Sequence, residues 1–491
     1  MTALAQILES LRPMLSIGWL AAALAGSGAI AGLIADMFDG RKTGVAIVAF
    51  GTAAAAVVSF ATALLPVDPL AGAIISTFNV VLTGAGFAGL ASVVYFTAFL
   101  SCASGLGSVR ENVRVPVASL IAVGAVAGQV LLGADDLVVL FVALELMALI
   151  AYALVAASGT NRSDEAATRY FVQGSVVTGL AVLGLAVLVG LSGGLSGYSE
   201  LVSAIGLMTP GAALLGGVLL VSVLAFKVGA FPFHSWVPDA YENAPAGAAA
   251  FLSSGAKAAA IGGFAVLFAR LLTVDPFLPI AAAVRIMAIA SILFGNLAAL
   301  RQTSVARMLG YSGIAQVGYA LIGLAISPTD TFLFASTYAI GAATAFVVLE
   351  YFRMAVPGWD GSIDGLAGCA KTHRVAALSL TISLLSLTGM PLMAGFWGKF
   401  FVFYAAGSAG LLWLAVVGLL GSVISFGYYG RVIRSLYFDT SSAAIVDQDE
   451  QGSGTPRTRV WPSALGAALI VLSGIAPLLW GLPLVYALFG L

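Results

Sequence analysis

The chain has 491 residues, of which 60% are hydrophobic and 9% are charged. A soluble domain carries about 25% charged residues, so most of these side chains must face lipid or other apolar helices. The net charge of −1 provides no basic surface for nucleic acid, and two cysteines and two histidines suggest neither a disulfide framework nor a metal site. No phosphate-binding loop or dinucleotide-binding motif is present. The composition therefore predicts a polytopic membrane protein.

Apolar segments follow one another along nearly the whole chain. A membrane-spanning helix needs about 20 mostly apolar residues, and this criterion predicts an all-α protein with about fourteen spans. No linker is long enough to hold a soluble domain. The predicted spans, numbered in chain order, are residues 16–36, 44–65, 78–102, 114–134, 136–158, 163–190, 212–231, 245–271, 276–299, 304–327, 331–355, 373–404, 409–436 and 460–488.

Proline interrupts two of these spans. Pro232 lies inside or just beyond span 7, and Pro391 lies in the middle of the over-long span 12, where each removes a backbone donor. If spans 4–8 and 9–13 form two blocks of five, each break falls in the fourth span of its block, as in inverted-repeat transporters. The predicted segments are a three-span N-terminal part, a proton-conducting repeat, a second repeat, and a loop with a last span: 1–113, 114–271, 272–436 and 437–491.

Basic residues concentrate in alternate loops, which predicts that these loops are cytoplasmic. With fourteen spans, both termini then lie on the non-cytoplasmic side of a bacterial-type cytoplasmic membrane or an equivalent energy-coupling membrane. The intervening loops hold mainly acidic residues, with Arg270 as the basic exception. The basic residues are Arg41, Lys42, Arg110, Arg114, Arg162, Arg301, Arg353, Lys371, Arg374, Arg431, Arg434, Arg457 and Arg459, and the acidic ones are Asp68, Asp135, Asp136, Glu200, Asp275 and Asp330.

Three lysines, Lys227, Lys257 and Lys399, lie within the predicted spans or beside their breaks. On insertion scales each costs about 2.5–3.5 kcal/mol at the middle of the bilayer, so water or acidic partners must compensate. Snorkelling to the interface or a structural ion pair would explain one lysine near a helix end. For three lysines near helix breaks we favour a role in ion movement, because a buried lysine can exchange its proton.

Other polar residues are candidate partners of these lysines. Glu145 lies halfway along span 5, and Arg169, early in span 6, is its predicted ion-pair partner; arginine does not deprotonate in proteins and could not relay a proton. Glu350 lies near the cytoplasmic end of span 11, where an interfacial and a functional role are both open. His234, in the first break, either relays protons or hydrogen-bonds exposed carbonyls, and we favour the structural role.

The sequence around these residues resembles a known family, the antiporter-like, proton-conducting membrane subunits of complex I, the proton-pumping NADH:quinone oxidoreductase. The resemblance runs from about residue 115 to 440, and segment 244–257 is similar to the subunit N class, the counterpart of mitochondrial subunit 2. Subunits L and M and the large Mrp antiporter subunits carry a histidine-containing pattern at that place. The motifs that carry the resemblance are residues 226–241, 295–300, 309–312, 387–391 and 395–400.

The resemblance implies two linked half-channels along a polar axis. A glutamate on span 5 and lysines on spans 6, 7, 8 and 12 line this axis in the family, and Glu145, Lys227, Lys257 and Lys399 match all of these positions except that of span 6.

Three positions depart from the family pattern. Arg169 replaces a lysine, Gln316 replaces a frequent histidine, and Ala306 replaces a basic residue beside Arg307. The middle of the pathway is therefore poor in titratable groups. We expect water to bridge Lys257 and Lys399, with Tyr311 or Tyr319 as possible helpers.

As a function, the resemblance implies a non-redox subunit of a translocase that takes part in proton translocation coupled to electron transfer in other subunits. No cofactor or metal is expected in this chain, and FMN, iron–sulfur clusters and quinone are expected in partner subunits. The expected hetero-oligomer contains adjacent antiporter-like and small linking subunits in a lipid bilayer, without nucleic acid. Two alternatives stay open: a subunit of an Mrp-type cation/proton antiporter or hydrogenase-linked ion pump, and a non-conducting scaffold suggested by Arg169 and Gln316.

Overall fold

The computed structural model describes residues 17–37, 41–64, 84–205, 208–272, 278–439 and 459–480. Each predicted span coincides there with one helix or with a pair of helices, and the predicted all-α fold class is confirmed. The helices are α1 (Ile17–Met37), α2 (Arg41–Leu64), α3 (Gly84–Ala103), α4 (Arg114–Leu132), α5 (Leu137–Ala156), α6 (Asn161–Leu191), α7 (Tyr198–Ile205), α8 (Pro210–Val228), α9 (Trp236–Asn243), α10 (Ala246–Ser253), α11 (Gly255–Leu271), α12 (Leu278–Ala299), α13 (Val305–Leu324), α14 (Pro328–Ala355), α15 (Arg374–Thr388), α16 (Ala394–Ser408), α17 (Leu412–Tyr437) and α18 (Trp461–Trp480).

Length and composition make this a multi-pass membrane protein. Within the described residues, ten helical segments are long and apolar enough to cross a bilayer, with α10 and α11 counted together, and three shorter apolar helices occur in α3, α15 and α18. Many large apolar side chains on the outer helices are exposed, which suits a surface facing lipid or other subunits.

Helix α14 forms the centre of the bundle. The most apolar stretch of α14 is completely buried. This helix packs against helices from every part of the chain, including α3, α11, α13, α15, α16 and α18. The N-terminal helices α1–α3 pack on one another and on α4. An all-round apolar helix is stable at such a central position because it is enclosed by other helices on all sides.

Local sequence signals fix where several helices begin. Asp136 caps α5 by accepting from the backbone N–H groups of Val138 (2.7 Å) and Val139 (3.2 Å). Thr160 and Ser163 form a capping box at the start of α6. Burial acts to raise the pKa of Asp136, but hydrogen bonds from Ser196 and the two backbone donors outweigh it and hold this pKa below its usual value.

The two predicted helix breaks are present, and the structure adds a third. Span 7 ends at Val228, and the chain continues through Pro232 into the short helix α9; span 12 is divided into α15 and α16 around Pro391. Span 8 was predicted as one continuous helix, which is wrong: Ser254, with φ −120° and ψ −87°, separates α10 from α11. The apolar run hid this break, because hydropathy does not report backbone dihedral angles.

Some sequence predictions fall outside the described residues. These are residue 16 of span 1, residue 65 of span 2, residues 78–83 of span 3, residues 276–277 of span 9 and residues 481–488 of span 14, and the loop residues Asp68, Asp275 and Arg457. The division of the chain into four segments stays a prediction.

Candidate functional site

Glu145 and Lys227 form an ion pair between the middle of α5 and the end of α8. Lys227 Nζ lies 2.9 Å from Glu145 Oε1, and the Lys227 side chain is 7% exposed. The Thr178 hydroxyl of α6 donates to the other carboxylate oxygen at 2.8 Å. The pair compensates for the cost of placing two charges inside the bundle.

Arg169 is not the partner of Glu145, contrary to the prediction from sequence. It lies 2.5 Å from Glu165 and 3.7 Å from Asp239, and its side chain is 60% exposed. The reason is axial position: the residue of α6 that contacts Glu145 is Thr178, nine residues further along the helix. Nine residues correspond to about 13 Å of helix rise. Arg169 therefore belongs to an ion-pair group at the end of the helix.

Lys257 is buried immediately after the break at Ser254. Its Nζ atom has no hydrogen-bond partner among the described residues, and it lies 5.3 Å from the centre of the Tyr241 ring. Lys257 and Lys227 both line a cavity of about 40 Å³, whose other walls include Tyr170 and Trp236. One water needs about 10–15 Å³ by this measure, so the cavity has room for roughly three waters between the two lysines.

Lys399 lies at the second predicted break. It is on α16, and its Nζ donates to the carbonyl of Thr388 (3.0 Å), the last residue of α15, and to the Ser422 hydroxyl on α17 (3.1 Å). The ammonium also stands 4.5 Å from the centre of the Tyr319 ring. The C-terminal end of a helix carries partial negative charge, which stabilises a cation there.

Both predicted breaks follow the same local design. Gly229 ends α8 and Gly389 ends α15, each in the left-handed region with φ of 76° and 92°. At the first break, the Ser291 hydroxyl of α12 accepts from the Phe231 N–H at 3.0 Å, and Trp236 Nε1 donates to the Phe226 carbonyl at 3.0 Å. Side chains thus replace the helical hydrogen bonds that each break removes.

Gln316 performs the same task at the second break. Its Nε2 donates to the Leu387 carbonyl at 2.7 Å, next to the Thr388 carbonyl that accepts from Lys399. Of the two tyrosines expected to help bridge the lysines, Tyr319 is fully buried beside Lys399. Tyr311 is not in that position: it lies two turns earlier on α13, where its ring is near Arg307 and Phe294.

Glu350 accepts hydrogen bonds from neighbouring segments, and His234 packs against aromatic rings. Glu350 is 1% exposed and accepts from Ser108 N–H (2.7 Å), the Ser108 hydroxyl (2.6 Å) and the Gly247 N–H (3.0 Å). Glu350 therefore caps the start of α10 as a buried carboxylate. His234 packs against the rings of Phe231 and Phe294, with centroid distances of 5.3 and 4.4 Å.

An ion-pair group that the sequence did not predict fixes α9 to its neighbours. Arg307 at the start of α13 lies 2.7 Å from Asp239 and 2.9 Å from Glu242, both on α9. Asp239 is also the second partner of Arg169 on α6. Since α9 follows the break beside Lys227, this group holds the segment that shapes the first half of the site.

Comparison with known proteins decides the family. Residues 134–425 match the family described as NADH:quinone oxidoreductase/Mrp antiporter, transmembrane. The chain belongs to this family. Among relatives, NADH-quinone oxidoreductase subunit N of Rhodospirillum rubrum is 36% identical, over 68% of this chain and 69% of the relative. The protein with the same name from Sphingopyxis alaskensis is 32% identical, over 86% and 90% of the two chains.

Solved structures share the fold of this family member. A chain of respiratory complex I from Thermus thermophilus matches with a TM-score of 0.72 and 24% identity, covering 95% of this chain and 98% of that one. A chain of the Mrp complex from a Dietzia species matches with a TM-score of 0.74 and 18% identity, covering 96% of both chains. A chain of an archaeal membrane-bound sulfane sulfur reductase gives a TM-score of 0.79 at 23% identity, covering 96% of both chains.

Proposed function

We propose that this chain is the subunit N-like, antiporter-like membrane subunit of a respiratory NADH:quinone oxidoreductase, and that it takes part in proton translocation. The observation that carries the proposal is the Glu145–Lys227 ion pair, whose lysine lines a cavity together with Lys257, and the Lys257 Nζ has no hydrogen-bond partner in the described part of the chain. The relatives named subunit N support the assignment to this complex.

The proton moves by a change in the Glu145–Lys227 pair. While the pair is closed, the carboxylate holds Lys227 in its ammonium form. Electron transfer elsewhere in the complex opens the pair, and the proton passes through water in the cavity to Lys257, whose Nζ is free to accept it. Lys399, at the second break, releases a proton toward the far side. Arg169 has no part in this step, because it pairs with Glu165.

The rest of the assembly follows from this role. The chain itself carries no redox centre, and FMN, iron–sulfur clusters and quinone belong to partner subunits. Its neighbours in the hetero-oligomer are antiporter-like and small linking subunits in an energy-coupling membrane. Both termini face the non-cytoplasmic side, which labelling of single engineered cysteines from each side of oriented vesicles would test.

Replacement of the buried lysines tests the proposed function. In the intact complex, reconstituted in liposomes, Lys227→Ala and Lys399→Ala lower the number of protons moved per electron. Lys371→Ala is the matched control, because Lys371 is an exposed lysine between α14 and α15. An unchanged proton-to-electron ratio in both buried-lysine variants would rule out this mechanism.

An Mrp-type cation/proton antiporter is the second candidate function. The description of the matched family includes these antiporters, and the fold matches a chain of an Mrp complex. Co-purification of subunits carrying iron–sulfur clusters and flavin would exclude it. Sodium-dependent proton flux by the purified assembly, without any electron donor, would favour it over the respiratory complex.

A further inference from the structure

Four buried tyrosines occupy the region of the bundle around Lys257 and Lys399. Tyr319 lies on α13, Tyr338 on α14, and Tyr428 and Tyr429 on α17; each is at most 5% exposed. We call these four residues the tyrosine cluster. Gln316 also lies there, but its amide is fixed to the Leu387 carbonyl. Hydroxyl groups can both donate and accept a proton, so the cluster has the chemistry of a relay.

Lys399 lies against the tyrosine cluster. Its Nζ donates to the Ser422 hydroxyl at 3.1 Å and lies 4.5 Å from the centre of the Tyr319 ring. Asn296 then links two cluster members, since its Nδ2 donates to the Tyr319 hydroxyl at 3.4 Å and its Oδ1 accepts from Tyr428 at 3.0 Å.

The cluster continues from Tyr428 toward Lys257. The rings of Tyr428 and Tyr429 are in edge contact at 4.5 Å, and the Tyr429 hydroxyl shares a short hydrogen bond with Ser312 of α13. Ser312 directly precedes Gly313, which faces Lys257. The cluster therefore extends from Lys399 to the residue that precedes Gly313 on α13.

A missing side chain leaves a gap between Lys257 and Tyr338. A methyl group placed on Gly313 would lie 3.2 Å from Lys257 Nζ and 3.3 Å from the Tyr338 hydroxyl oxygen. Glycine thus keeps both polar atoms exposed to the same small space. Because Lys257 Nζ has no hydrogen bond to a described residue, a water in this gap is the group that can connect it to Tyr338.

We propose that the Tyr338 hydroxyl receives the proton of Lys257 across this gap and passes it to the tyrosine cluster, and that Gly313 keeps the gap open. The inference rests on the proposed function. The Lys257 ammonium gives a proton to the bridging water, the water gives one to the Tyr338 oxygen, and the original hydroxyl proton of Tyr338 passes through the other hydroxyl groups of the cluster to the neutral amine of Lys399. Lys257 ends as a neutral amine, Tyr338 ends neutral with a new proton, and Lys399 ends as the ammonium that releases a proton in the second half.

Two substitutions interrupt this step in different ways. Tyr338→Phe removes the hydroxyl but keeps the ring that stacks on Phe334 with a centroid distance of 6.3 Å. Gly313→Ala places a methyl group in the gap, and alanine is favoured over glycine in a helix interior, so α13 should fold. Gly341→Ala is the matched control, because its methyl group would meet the Leu387 side chain at the similar distances of 3.2 and 3.3 Å.

The test compares these variants with Lys399→Ala in the reconstituted complex. Electron-transfer rate and subunit content show that the complex is intact, and the proton-to-electron ratio is the readout. We expect Tyr338→Phe and Gly313→Ala to lose the same part of the ratio as Lys399→Ala, while Gly341→Ala retains the wild-type ratio. A wild-type ratio in Tyr338→Phe, with a lowered ratio in Lys399→Ala, overturns the relay but not the proposed function.

Two other outcomes would each refute a part of the proposal. A lowered ratio in Gly341→Ala equal to that in Gly313→Ala means that crowding alone disturbs the subunit, and the role given to Gly313 is then wrong. A wild-type ratio in Lys399→Ala refutes the relay, and together with a wild-type ratio in Lys227→Ala it refutes the proposed function as well.

Discussion

Removal of one charge from the Glu145–Lys227 pair leaves the other charge inside the bundle without its partner. Breaking a buried pair in this way costs about 3–5 kcal/mol. Lys227 is 7% exposed and Glu145 is 23% exposed, and Glu145 keeps its hydrogen bond from Thr178. We therefore expect Glu145→Gln, which leaves the more buried charge, to cost nearer to 5 kcal/mol, and Lys227→Met nearer to 3 kcal/mol. The double variant contains neither charge and should be more stable than either single variant.

Arg169 provides the control for this prediction. Its side chain is 60% exposed, and exposed ion pairs contribute at most about 1 kcal/mol, so Arg169→Gln should change stability little. Thermal unfolding midpoints of the purified complex are measured for the three single variants and for the two double variants that combine Glu145→Gln with Lys227→Met or with Arg169→Gln. These values complete one double-mutant cycle for each pair. The reasoning fails if Glu145 is coupled more strongly to Arg169 than to Lys227, or if the effects of Glu145→Gln and Lys227→Met simply add.

Three further changes test the helix breaks and caps. Gly229→Ala should cost about 2 kcal/mol or more, because φ is 76° and the methyl group would clash with the Val237 side chain. Gly179→Ala, inside α6 and in open space, should be neutral or stabilising by up to about 1 kcal/mol in the same unfolding assay. Gln316→Leu leaves the Leu387 carbonyl unsatisfied and should lower stability by about 1–3 kcal/mol. Asp136→Ala should cost about 1 kcal/mol near neutral pH. Because the pKa of Asp136 is lowered from 3.8 on folding, this contribution is complete above that pH and is lost as the pH falls below it, so the two proteins should converge in stability in acid.

Much of the architecture could be predicted from the sequence because its signals are local. Apolar length sets the spans, and the two glycine–proline segments at Gly229–Pro232 and Gly389–Pro391 mark the breaks. The break at Ser254 was missed since neither proline nor a polar run marks it. The residues of segment 253–255 are small and partly polar within an otherwise apolar run, and this was the available signal of a break.

The sequence drew attention to the three lysines, because lysines are rare in an apolar sequence, but it did not indicate their contacts. Lys227 and Lys399 lie beside the two predicted helix breaks, and Lys257 lies beside the break at Ser254 that was not predicted. Their neighbours come from other helices, and no sequence separation indicates them. Tyr338 and Gly313 were missed for this reason: a tyrosine and a glycine are ordinary residues in membrane helices until a lysine lies next to them.

The sequence by itself thus determined that this is a polytopic helical protein with three lysines held among its spans, because hydropathy and the cost of a buried charge depend on each segment alone. Only the tertiary structure decided which groups meet. Glu145 pairs with Lys227 and not with Arg169, since α6 presents Thr178 at that depth and Arg169 about 13 Å away along the helix. The same packing places Lys227 and Lys257 at one cavity. It also places Lys257 and Tyr338 on two sides of the space that a side chain at position 313 would enter.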